Sequence, residues 1–60
     1  MKKEERLKAL EQKLKVSPQP LSGDKLAKSL HVSRQVIVQD IALLRALNMP
    51  IISTNRGYIL

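Results

Sequence analysis

Cysteine, tryptophan and phenylalanine are absent from the 60-residue sequence, and Tyr58 is its one aromatic residue. Without cysteine the chain has no disulfides and no thiolate metal site, and this pattern predicts a reducing, cytoplasmic setting. The core must therefore be built from Leu, Ile, Val and Ala. At this length such a core leaves few apolar side chains for a deep catalytic pocket, which excludes most classes of enzyme.

The sequence also lacks the motifs of catalysis, metal binding and membrane insertion. It has one histidine, His31, no glycine-rich phosphate loop, and five acidic residues whose spacing suits neither paired catalytic acids nor a metal site. No apolar run approaches the roughly 20 residues of a membrane span, and charged residues follow Met1 where a signal peptide needs an apolar stretch. We therefore predict that the protein is not an enzyme and that this domain holds no metal or cofactor.

Positive charge is in excess, since eleven Lys and Arg against five Asp and Glu give a net charge of +6. A basic domain of this size predicts a polyanionic partner, with nucleic acid first and an anionic membrane surface second, and charge alone leaves that choice open. Six of the basic residues lie in the first 15 positions beside three glutamates and are expected only to keep the first helix soluble. The remaining five are Lys25, Lys28, Arg34, Arg45 and Arg56.

Apolar spacing and capping residues predict three helices. The first has one leucine-lined face and covers about residues 3–15. After a loop with two prolines, Ser22 and Ser33 are placed as N-caps of helices over about residues 23–30 and 34–47. His31 and Asn48 stand where the chain leaves these two helices and needs a residue that tolerates the left-handed conformation.

Residues 51–60 have the pattern of a β-hairpin. Two β-favouring triplets flank a turn that contains Asn55, Arg56 and Gly57, in which Asn and Gly permit a tight reversal. A hairpin this short needs packing against the helices to be stable. The predicted fold class is mainly α (α+β): one winged-helix domain over residues 1–60, a three-helix helix-turn-helix with a C-terminal β-hairpin wing.

The third helix carries the chemistry suited to DNA on one face. At about 100° per residue, Ile37, Ile41 and Leu44 face the core, with Leu47 at the edge of that face. The opposite side and one flank are predicted to contact base edges in the major groove through Arg34, Gln35, Val38 and Gln39. Gln suits adenine, Arg suits guanine, and an apolar side chain suits the methyl group of thymine. A solvated helix surface is the alternative, but such surfaces usually carry Lys–Glu pairs, which this face lacks.

Other residues are placed to hold the DNA backbone. Contacts to phosphate are predicted for Ser33, Lys25, Lys28 and Arg45. Asn55 and Arg56 lie in the wing, from which Arg56 can reach a minor groove or a phosphate. Asp40 lies beside the core edge of the third helix and repels DNA, so we expect it to pair with an arginine or to cap a backbone group.

The segments SRQVIVQDIALLR and STNRGYIL, preceded by LSGDKLAKSLH, resemble the N-terminal winged-helix domain of the nicotinate-responsive repressors of NAD biosynthesis. The resemblance covers about residues 21–60 and implies a bacterial repressor of niacin uptake and NAD synthesis genes. It also implies binding as a homodimer to double-stranded DNA with an inverted-repeat operator. Members of that family carry a second, histidine-rich domain for nicotinate and a divalent metal, so this effector domain is expected to be absent from these 60 residues.

Three alternatives stay open at this point. The DNA-binding domain of a biotin-type repressor is more distantly similar to this sequence. A winged-helix protein-interaction module would expose an apolar patch and would bind with weak salt dependence. Membrane binding by the first helix is disfavoured by its three glutamates and its lack of aromatic residues.

Overall fold

The computed structural model describes residues 1–60 and contains three α-helices followed by a two-stranded antiparallel hairpin. The elements are α1 (Lys3–Val16), α2 (Gly23–Leu30), α3 (Arg34–Ala46), β1 (Ile52–Thr54) and β2 (Gly57–Ile59). The predicted winged helix-turn-helix is confirmed, and every helix begins and ends within one residue of the expected position. None of the helices is both long enough and apolar enough to span a membrane.

The core is aliphatic, as the composition predicts. It consists of Leu10, Leu14, Leu26, Ala27, Leu30, Ile37, Ile41, Leu44 and Ile51. Every helix contributes to this core, and Tyr58 packs against it from the hairpin while remaining partly exposed. Leu47 does not join it, because α3 ends at Ala46 and the cap residue Leu47 leaves the helical path with 63% of its surface exposed.

Helices α2 and α3 begin and end with the residues that the sequence predicts. The hydroxyl oxygens of Ser22 and Ser33 each accept a hydrogen bond from the amide three residues on, at 3.1 and 3.2 Å. His31 and Asn48 take the left-handed conformation, with φ of 57° and 70°, and the amides after each helix bond back to its last turn. The bonds of His31, Val32 and Ser33 fix the turn between α2 and α3.

The sheet includes a pairing that the sequence did not indicate. The amide of Leu21 donates to the carbonyl of Tyr58 at 3.0 Å, and the amide of Tyr58 donates to the carbonyl of Leu21 at 2.8 Å. Gly57 permits this approach, because its φ is 140° and a Cβ there would lie only 2.5 Å from the carbonyl oxygen of Leu21. The segment before α2 therefore lies beside β2 and attaches the hairpin to the helices.

The hairpin turn is built differently from the expectation. Asn55 and Arg56 form the two-residue loop between Thr54 and Gly57, but neither has a positive φ. Thr54 closes the turn instead: its Oγ1 accepts from the amides of Arg56 and Gly57, each at 3.1 Å, and donates to the carbonyl of Gly57 at 2.8 Å. The tolerance of Asn55 for left-handed backbone is thus not used, because Gly57 alone carries the positive φ in this turn.

Candidate nucleic-acid interface

A partly buried ion pair holds α3 against α1. Arg6 donates from Nε to Oδ2 of Asp40 at 2.6 Å and from Nη2 to Oδ1 at 3.0 Å, and the Asp40 residue is only 3% exposed. The hydrogen bond to Asp40 raises the pKa of Arg6, desolvation opposes that rise, and the negative charge of Asp40 adds to it. The expected pairing of Asp40 with an arginine is confirmed, and the expectation that Arg6 only keeps α1 soluble is wrong.

The predicted base-contacting residues lie on the exposed side of α3. Arg34, Gln35, Val38 and Gln39 are all exposed, and 48% of the surface of Val38 is accessible although the residue is apolar. The side-chain amides of Gln35 and Gln39 make no hydrogen bond within the chain, so their donors and acceptors are free. This face can therefore offer amide groups and a small apolar contact to base edges in a major groove.

Helix α2 and the start of α3 present groups suited to phosphate. Lys25 and Lys28 are exposed, and neither belongs to the ion pairs of the structure, which are Arg6–Asp40, Lys15–Glu11 and Arg34–Asp24. The Ser33 hydroxyl oxygen accepts from the α3 backbone, which leaves its hydrogen free to donate. Three of the four residues predicted to contact the DNA backbone, Lys25, Lys28 and Ser33, therefore have donors that are free to bind phosphate.

Arg45 has a structural partner that sequence reasoning missed. Its Nε donates to the carbonyl of Ile51 at 3.0 Å, and its Nη2 donates to Oγ of Ser53 at 2.6 Å. These bonds tie the end of α3 to β1 and so position the wing relative to α3. An arginine in the last turn of a helix gives no sequence signal for such a pairing. The contact of Arg45 with the DNA backbone stays a prediction.

The turn of the hairpin faces the starts of α2 and α3 across a cleft of about 200 Å³. The residues that line this wing cleft are Ser22, Gly23, Arg34, Ser53, Thr54, Asn55, Arg56, Gly57 and Tyr58. The structure therefore brings together three predicted site residues from separate parts of the sequence: Arg34, Asn55 and Arg56. Gln35, Val38 and Gln39 do not line this cleft, and they lie further along α3.

Comparison with known proteins places the three helices and the hairpin in one family. A family model with the description HTH domain matches residues 6–59. The transcription repressor NadR of Bacillus subtilis (strain 168) is 63% identical over 46 residues, which cover 77% of this chain and 26% of that protein. The probable transcription repressor NiaR of Thermotoga maritima is 55% identical over 58 residues, which cover 97% of this chain and 33% of that protein.

The chain thus spans about a quarter to a third of the length of these two relatives. Both relatives are named transcription repressors, and this confirms the resemblance to a repressor family that rests on residues 21–60. The similarity to NiaR extends through almost all of the chain and so includes α1, whose sequence alone is generic.

Proposed function

This chain belongs to the HTH domain family, and from that premise we propose that it recognises a specific sequence in double-stranded DNA as the DNA-binding module of a transcription repressor. The observation that carries the proposal is the exposed face of α3. Gln35, Val38 and Gln39 are exposed, and the two glutamine amides make no hydrogen bond within the chain. The opposite side of the same helix is packed in the core. A helix held in this way can enter a major groove with its side chains already positioned.

The distribution of charge supports the same proposal. Lys25 and Lys28 on α2, Arg34 at the start of α3 and Arg56 in the wing are exposed basic residues in the helix-turn-helix and the hairpin. The one acidic side chain of α3, Asp40, is neutralised by Arg6 and buried. The surface that would face DNA therefore keeps its positive charge, which attracts the phosphate backbone.

The whole protein, we propose, is a nicotinate-responsive repressor of niacin uptake and NAD biosynthesis genes that acts in the bacterial cytoplasm. The sequence resemblance and the identities of 63% and 55% to proteins named transcription repressors support this assignment. Such a repressor would bind an inverted-repeat operator as a homodimer, with each copy of this domain on one half-site. Nicotinate and a divalent metal would bind outside these 60 residues, in an effector domain.

The experiment that tests the proposal compares two variants on one set of duplexes. A duplex is first selected by the chain from a random-sequence pool, and its single-base-pair variants are then titrated by fluorescence anisotropy. Gln39→Ala should reduce the preference at one base pair by a factor of roughly 5 to 150, because it removes a contact to a base edge. Lys28→Ala should weaken binding to every duplex alike and reduce the salt slope by about 1.

The opposite pattern would overturn the assignment of the DNA-binding face. A Gln39→Ala variant that weakens all duplexes equally, with a Lys28→Ala variant that changes base preference, would mean that α3 does not enter the groove. Circular dichroism of both variants serves as the control, since both residues are exposed and neither substitution should change the fold.

A further inference from the structure

The wing cleft contains two arginines and no acidic residue among its nine lining residues. We propose that this cleft binds one phosphate of the DNA backbone, which Arg34 and Arg56 hold together from α3 and from the hairpin turn. The proposal rests on the proposed function, since it names the part of the DNA that this cleft would contact. It also assigns to Arg34 a phosphate in place of the base edge that its position on α3 suggests.

The charges around the cleft favour an anion. Arg34 and Arg56 bring two positive charges to one cleft of about 200 Å³, and an anion held there would be attracted by both. The nearest carboxylate is that of Asp24, whose Oδ1 is 3.9 Å from Nε of Arg34, and both side chains are 72% exposed. A long, exposed pair of this kind contributes little, so Arg34 remains available for a stronger partner.

Two hydroxyl groups in the cleft wall, those of Ser22 and Ser53, can donate to a ligand. Ser22 Oγ already accepts from the amide of Lys25, and Ser53 Oγ already accepts from Arg45. Each of these hydroxyl groups makes no donated bond within the chain, so its hydrogen is free to donate to a ligand. A ligand rich in acceptor oxygens matches this wall, and a phosphate diester offers two charged oxygens to it.

The position of the cleft favours a phosphate of bound DNA over a free nucleotide. Arg34 lines the cleft and is also the first residue of α3, so the cleft opens beside the N-terminal end of the helix that would enter the groove. A recognition helix contacts bases through that end, and the backbone passes next to it. Tyr58 is the only aromatic residue in the lining and is itself packed against the core, so a nucleotide base would lack a pair of stacking surfaces.

A scan with single neutral linkages tests the proposal. In a duplex selected by the chain from a random-sequence pool, each phosphate in turn is replaced by a methylphosphonate, and the affinity is measured for the unaltered chain and for Arg34→Gln, Arg56→Gln and the double variant. We expect one linkage at which replacement weakens the unaltered chain by roughly tenfold. Each single variant should lose most of that sensitivity, and the double variant should lose little more, because both arginines hold the same phosphate.

Lys28→Gln is the matched control, since Lys28 is an exposed cation on α2 that does not line the cleft. It should bind more weakly overall and should keep full sensitivity at the cleft linkage. Arg34→Gln should also keep the base preference of the unaltered chain, because a phosphate contact carries no sequence information.

Two results would overturn the proposal while leaving the proposed function intact. One is specific binding in which Arg34→Gln and Arg56→Gln keep the same sensitive linkage as the unaltered chain. The other is a change of base preference in Arg34→Gln, which would return Arg34 to a base edge. Failure of the chain to select any duplex would instead overturn the proposed function, and the phosphate site with it.

Discussion

Gly57→Ala is the substitution that tests the attachment of the wing most sharply. Gly57 has a φ of 140°, a conformation that residues with a Cβ rarely adopt. The added Cβ would lie 2.5 Å from the carbonyl oxygen of Leu21 and 2.7 Å from the amide nitrogen of Ser22. Both neighbours are backbone atoms, so no side-chain rotation can relieve the clash. The hairpin must therefore move away from Leu21, and this movement breaks the two hydrogen bonds between Leu21 and Tyr58.

The expected cost is a large part of the stability of the domain. Backbone strain at such a φ costs roughly 1 to 3 kcal/mol. Loss of two backbone hydrogen bonds adds roughly 0.5 to 1.5 kcal/mol each. Together these give a decrease of about 2 to 6 kcal/mol in the free energy of unfolding, against roughly 3 to 9 kcal/mol for a domain of this length.

Urea denaturation followed by far-UV circular dichroism measures this cost, and Gly23→Ala is the matched control. A Cβ at Gly23 would lie 3.5 Å from the Arg34 side chain, which is ordinary contact, and the φ of Gly23 is not positive. Gly23→Ala should therefore leave the stability unchanged or raise it by up to about 1 kcal/mol. Equal free energies of unfolding for the two alanine variants would refute the attachment of the wing through Gly57.

Two further stability predictions follow from the ion pairs and from the end of α3. Asp40→Asn should lower the thermal midpoint by roughly 8 °C or more, because it removes the buried negative charge that pairs with Arg6 and replaces one acceptor oxygen by an NH₂ group. Glu11→Gln should lower it by no more than about 4 °C although its pair with Lys15 is also short, at 2.8 Å, because the side chains of Lys15 and Glu11 are 50% and 32% exposed. Equal decreases would contradict the role given to burial. Asn48→Gly should raise the thermal midpoint by a few degrees and Asn48→Ala should lower it, because φ at this position is 70°. Equal midpoints for these two variants would argue against a left-handed cap.

The local parts of the fold could be predicted because their signals lie within a few residues. A serine before an apolar run gives the N-caps at Ser22 and Ser33, and a residue that tolerates left-handed backbone gives the ends of α2 and α3 at His31 and Asn48. These choices fix where each helix begins and ends. They also fix the turn of the helix-turn-helix, since that turn is short and carries its own capping residues.

The long-range contacts could not be predicted in the same way. Asp40 could be expected to need a cation, because a carboxylate beside the core requires a partner. Nothing in the sequence selects Arg6, which is 34 residues away, from the other three arginines of the chain. The pairing of Leu21 with Tyr58 likewise depends on how the hairpin packs against the helices. The sequence does not distinguish Gly57, which permits this pairing, from a glycine that only serves a turn.

The candidate site likewise has a part that local sequence predicts and a part that depends on long-range contacts. Helical periodicity predicts that Gln35, Val38 and Gln39 are exposed together, because their positions on one helix follow from 100° per residue. The wing cleft depends on three separate elements meeting, so periodicity gives no indication that Arg34 and Arg56 line the same space. The bond from Arg45 to β1, which helps to hold the hairpin in place, is likewise visible only in the folded chain.

The most direct test of the central claim is a titration of the chain with its selected duplex and with a scrambled duplex at about 50 and about 200 mM salt. Lys25 and Lys28 on one phosphate each, with Arg34 and Arg56 on a shared third, should give a slope of about −3 for log K against log salt. The selected duplex should also bind more tightly than the scrambled one at both salt concentrations, by roughly tenfold or more. Equal and salt-insensitive binding to both duplexes would contradict the proposal that this domain recognises a DNA sequence.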